Sequence, residues 1–152
     1  MKNVEEKDDL IAQASIKIKR PRPEVWDALV NPDAIKKYMF GTEVITDWKK
    51  GSSIIWKGEW KGKPYNDKGA VMQIEPQMLL QYSHFSPLSG EEDIPENYHI
   101  VTIVLTEEDD GVMVSLSQDK NPTEESLKHS EQNWNTMMKG LKEYVESKEG
   151  LS

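Results

Sequence analysis

His84, His99 and His129 are the only histidines in the 152-residue chain, and no two of them stand in the His-Glu-x-x-His spacing that pairs zinc ligands with a general base on one helical face. No metal site and no cofactor are expected. The absence of cysteine excludes disulfides, thiolate nucleophiles and Cys-rich zinc sites, and it fits a reducing compartment. There is no Gly-x-Ser-x-Gly elbow. The stretch from Gly58 to Lys63 has the wrong spacing for a phosphate loop and runs into Pro64, so it reads as a hairpin. No catalytic residue is assigned, and binding is expected ahead of catalysis. The remaining chemistry is recognition: Trp56, Trp60, Trp134 and Met138, with Tyr38, His84, His99 and Gln118, could surround an apolar or amphipathic molecule.

Strands and one long helix must bring these side chains together. The alternation that turns Val101, Ile103 and Leu105 to one face also turns His99 inward, and the alternation that buries Val114 and Leu116 carries Gln118 with them. An unpaired polar group inside costs roughly 1 to 3 kcal/mol, so His99 and Gln118 must find partners in a side chain, a water or a ligand. Trp56 and Trp60 share a strand face, Trp134 and Met138 face the sheet from the helix, and Tyr38 and His84 could stand at an entrance. The plain alternative is that the tryptophans and methionines fill the core and His99 is a satisfied core histidine.

The elements follow from periodicity. Ala12 to Arg20 alternates as a half-buried strand. Pro23 opens a short helix with Val25, Trp26, Leu29 and Val30, and Asn31-Pro32 caps and opens a second with Ile35, Tyr38 and Met39. Six strands are expected next, over Glu43–Asp47, Ser53–Trp60, Lys68–Ile74, Met78–His84, Tyr98–Glu107 and Val112–Gln118, punctuated by turn residues that include Gly62-Lys63-Pro64. Pro87 to Asn97 reads as a surface loop whose acids are solvated. Asn121 then caps a long helix that Pro122 opens, and Gly150 is its expected stop. Its stripe of Trp134, Met137, Met138, Leu141, Tyr144 and Val145 needs an apolar sheet face to cover. Gly140 within it implies close helix–sheet contact or cavity space. Residues 10–149 are read as one α+β domain and residues 1–9 as a tail.

The formal charge of -8 disfavours nucleic acid and anionic lipid. The basic cluster of Lys17, Lys19, Arg20 and Arg22 reads as a solvated face. No apolar run approaches the roughly 20 residues of a membrane span, and residues 1–9 lack the apolar stretch of a signal peptide, so a cytoplasmic location is expected.

Three stretches carry a family likeness: IKRPRPEVWDALVNPDAIKKY from Ile18, GAVMQIEPQMLLQY from Gly69, and Tyr98 to Leu141, with LTEEDDGVMVSLSQDKNPTEES followed by NWNTMMKGLKEYVE. Together with the element order they resemble the START-like (SRPBCC) superfamily, and within it the single-domain relatives of the activator of the heat-shock chaperone ATPase. The resemblance implies a helix-grip fold, a twisted antiparallel sheet of about seven strands wrapped around the C-terminal helix. It also implies a cavity between sheet and helix for a small hydrophobic ligand. A cyclase-like enzyme and a protein-binding chaperone-accessory module are the alternatives. The full activator's separate N-terminal domain finds no room in 152 residues, so chaperone stimulation is not expected. Tyr38 stands where many relatives carry tryptophan.

Overall fold

The computed structural model describes residues 10–147. Strand β1 (Ala12–Ile18) leads into helices α1 (Arg22–Val30) and α2 (Pro32–Tyr38). The strands β2 (Glu43–Ile45), β3 (Ser53–Trp60), β4 (Lys63–Glu75), β5 (Leu79–His84), β6 (His99–Glu108) and β7 (Gly111–Gln118) follow, and helix α3 (Glu124–Ser147) ends the described chain. The strands form one antiparallel sheet in the order β1-β7-β6-β5-β4-β3-β2. β1 and β2 therefore lie on opposite edges, and α1 and α2 bridge them. This is the α+β helix-grip arrangement.

Local chemistry explains the elements. Pro21 is the extended cap of α1, and the Asn31 side chain accepts the Asp33 amide at the start of α2. α3 lays Met137, Met138, Leu141 and Val145 into the concave face of the sheet, against Ile18, Val112, Val114 and other inward residues of the same core. At the β1 edge, Glu131 accepts the Gln13 amide, Glu146 accepts the Lys19 amide, and Lys142 donates to the Lys17 carbonyl. The helix thus satisfies part of an edge that would otherwise bind only water.

Four details differ from the sequence expectation. The turn between β3 and β4 is only Lys61-Gly62, with φ of 52° and 83°, so Lys63 and Pro64 already belong to the strand. β4 begins five residues earlier than expected, which carries Tyr65 and Asp67 into the sheet. The segment after β5 is not plain loop but holds two short 3-10 turns, Pro87–Ser89 and Pro95–Asn97. Lastly, α3 starts at Glu124 with the Thr123 hydroxyl accepting the Ser126 amide. Asn121, expected as the cap, is 1% exposed and donates to the Leu10 and Gln118 carbonyls while accepting from Ser130. The expected stop at Gly150 lies outside the described residues. Among the described residues no helix is long and apolar enough to cross a membrane.

Candidate functional site

One end of the concave face does not close. Trp56 on β3, Tyr65 and Asp67 on β4, Tyr82 and His84 on β5, His99 on β6 and Gln118 on β7 line a pocket of about 510 Å³ that Trp134 of α3 bounds from the helix side. The rim comes from Met39 to Thr42 after α2 and from Phe85 to Ser89 after β5. Register sets the grouping: Trp56 pairs with Asp67, Gly58 with Tyr65 and His84 with His99 across neighbouring strands.

The β4 residues depend on a glycine. A Cβ at Gly58 would lie 2.4 Å from the Tyr65 hydroxyl and 2.5 Å from its ring, so only glycine lets this ring lie across β3. The Thr42 hydroxyl donates to the Met39 carbonyl at 2.7 Å, which leaves Tyr65 as the donor in its 2.5 Å bond to Thr42. This ties the β3–β4 hairpin to the chain leaving α2.

Asp67 and His84 form the polar centre. His84 Nε2 lies 2.8 Å from Asp67 Oδ2, and because an ionised carboxylate only accepts, the imidazole donates through that nitrogen. The other carboxylate oxygen, Asp67 Oδ1, is buried with no hydrogen-bond partner among the described residues. Trp56 holds the imidazole edge-on at 5.0 Å between centroids and packs against Tyr82 at 5.2 Å. Burial pushes the Tyr82 phenol well above its ordinary range, so it stays a neutral hydroxyl.

A second polar group sits beside it. The Trp134 indole N–H donates to Gln118 Oε1, which fixes the amide with Nε2 toward His99. His99 Nδ1 lies 2.9 Å from the Asp119 carbonyl and 3.2 Å from Gln118 Nε2, and it cannot serve both. The carbonyl can only accept and is nearer, so Nδ1 carries a proton and donates to it, and the Gln118 amide keeps its hydrogens for another acceptor. The segment that supplies part of the rim is anchored from outside the pocket. Asp93 pairs with Lys68 and accepts the Tyr98 hydroxyl, and these two donors hold its carboxyl below the usual range. Tyr98 stacks on Phe85 at 5.1 Å. Asp93 is thus a strut of this segment and not merely a solvated acid.

Of the residues singled out from sequence, Trp56, His84, His99, Gln118 and Trp134 meet at this pocket. Tyr38 does not: it is buried, donates to the Ala28 carbonyl at 2.8 Å and lies under Gly140, where a Cβ would stand 3.4 Å from its carbonyl oxygen. Gly140 therefore marks helix-on-helix contact and not contact with the sheet. Met138 is 1% exposed and belongs to the core. The Trp60 side chain lies outside the described part of the structure; its backbone pairs with Lys63 at the hairpin end. Tyr65, Asp67, Phe40 and Thr42 were not legible as site residues. Gly58 four residues before a Gly62 turn was the available signal, since that turn alone sets Gly58 opposite an aromatic ring. Among the described residues no group of three or more His, Asp or Glu could hold a metal ion.

The profile of the Activator of Hsp90 ATPase homolog 1-like protein family matches residues 19–146. ChR145 from Cytophaga hutchinsonii is similar at 59% identity, over 92% of this chain and 96% of that one, with a TM-score of 0.81. The Aha1 dimer from Colwellia psychrerythraea shares the fold at 18% identity, with coverage of 89% and 95% and a TM-score of 0.70. DynU16, a protein of the dynemicin biosynthetic locus, shares it at 16% identity, over 91% of this chain but 48% of that one, with a TM-score of 0.76. No functionally curated protein matches. The chain belongs to the Activator of Hsp90 ATPase homolog 1-like family.

Proposed function

We propose that this member of the family binds a small amphipathic molecule in the pocket between the sheet and α3, and does so in the cytoplasm. The observation that carries the reading is the pocket itself. Its volume of about 510 Å³ falls within the roughly 300 to 1,000 Å³ of small-molecule sites, and aromatic walls with a few convergent polar groups are the usual composition of such sites. Trp56, Trp134 and Tyr82 would enclose the apolar part, and His84, His99 and Gln118 would orient the polar part. Native mass spectrometry of protein purified from its own cytosol, followed by denaturing extraction, tests this. A stoichiometric small molecule is expected. A clean apo mass, together with no change in Trp56 or Trp134 fluorescence on adding an extract of apolar metabolites, would remove the reading.

The Asp67–His84 pair favours a second reading, proton transfer on the bound molecule. A carboxylate behind an imidazole orients the ring and supports it as a base. Conversion of the recovered ligand by the wild-type protein, lost in His84→Ala while binding persists, would support catalysis; an unchanged ligand mass would exclude it. The family description also raises a protein partner, and Phe40 and Leu88, 66% and 62% exposed at the pocket rim, are where one would dock. Capture of a cytosolic protein that Phe40→Ser abolishes is the expected sign of that role.

A further inference from the structure

We propose that the pocket selects a positively charged amphipath over an anionic one of the same shape, a statement that rests on the pocket being a ligand site. The observation is its charge inventory. Asp67 and Glu91 bring two carboxylates to the wall, and among the described residues that line it there is no lysine or arginine.

Asp67 is the dominant group because of where it stands. Its Oδ2 takes one hydrogen bond from His84, and its Oδ1 is buried with no partner among the described residues. The hydrogen bond from His84 reaches only one of the two carboxylate oxygens, so the site holds an incompletely compensated acidic group. Oδ1 offers no surface to a ligand and acts through its field, which buried surroundings screen less than bulk water does. A carboxylate or phosphate head group placed here would meet like charge and, apart from the uncharged Gln118 amide, no partner to offset it.

The aromatic walls point the same way. Trp56, Tyr82 and Trp134 present rings around the polar centre, and ring faces attract cations and repel anions. An ammonium also brings three donors, which suits the Tyr82 oxygen. The ligand class is therefore a cationic or hydrogen-bond-donating head on an apolar body.

The experiment is calorimetric binding of decylamine, decanol and decanoate at pH 8, below their aggregation concentrations, in about 0.15 M salt to screen the surface charge. Decylamine is expected to bind at least roughly tenfold tighter than decanoate, and Asp67→Asn to bring the two within about threefold. Glu91→Gln, at an exposed position, should narrow the ratio less and serves should Asp67→Asn not fold. Decanoate binding as well as decylamine, or a preference untouched by both variants, would overturn the proposal. Failure of all three probes, decanol included, would instead remove the ligand-site reading on which it rests.

Discussion

Tyr65 lies across β3 because residue 58 has no side chain, and this one absence shapes the pocket floor. Gly58→Ala forces the ring outward and breaks the bond to Thr42, with an expected loss of about 1 to 3 kcal/mol, as for other overpacked sites. Urea unfolding checks it; an unchanged midpoint would mean that the ring moves aside freely. The same residues show why part of the site was illegible in sequence. His84, His99 and Gln118 sit on strands whose alternation is clear, so their direction follows from their neighbours. Asp67 lies in Pro64-Tyr65-Asn66-Asp67, a run of turn-forming types that the pairing with β3 draws into a strand regardless. Asn121 misled in the opposite sense: a residue type suited to capping is used instead to pin the chain at Leu10 and Gln118.

At the scale of elements, α3 tests two expectations. A Cβ added at Gly140 would meet Tyr38 at ordinary van der Waals distance, 3.4 Å from its carbonyl oxygen and 3.5 Å from its Cβ. Gly140→Ala should therefore keep most of the roughly 1 kcal/mol by which alanine exceeds glycine in a helix, and the melting temperature should rise. A fall would mean that α2 and α3 pack more closely than described. Trp134 belongs to the apolar stripe but is only partly buried, because it stands where the sheet opens into the pocket. Trp134→Ala should cost about 1 to 3 kcal/mol, below the roughly 3 to 5 of a fully buried tryptophan, by chemical denaturation. The stripe itself was readable from its spacing. Which of its members would face a void was not, since that depends on how far the sheet curls.

For the whole molecule, charge sets the response to acid. Asp93, Asp110 and Glu146 are each held below the ordinary carboxylate range, chiefly by hydrogen bonds from Lys68, Lys17 and Lys142 respectively. A folded-state value below the unfolded one contributes stability above the unfolded value, about 4, and that contribution disappears as pH falls through the folded values. Melting temperature should thus be level near neutrality and drop below about pH 4, with a shallower drop in Glu146→Gln. An equally steep drop in that variant would place the acid sensitivity elsewhere.

The contacts between α3 and β1 bear on how a guest could reach the pocket. The residues that bond the outer backbone of β1, Glu131, Lys142 and Glu146, ride on the helix that also carries Trp134 and the buried stripe. Swinging that helix away would strip the core and lay bare an adhesive strand edge in a single motion. For a guest of the proposed kind the remaining way in is the opposite lip, between Phe40 and the Pro87–Ser89 turn, and passage there leaves the bonds from α3 to the β1 edge intact.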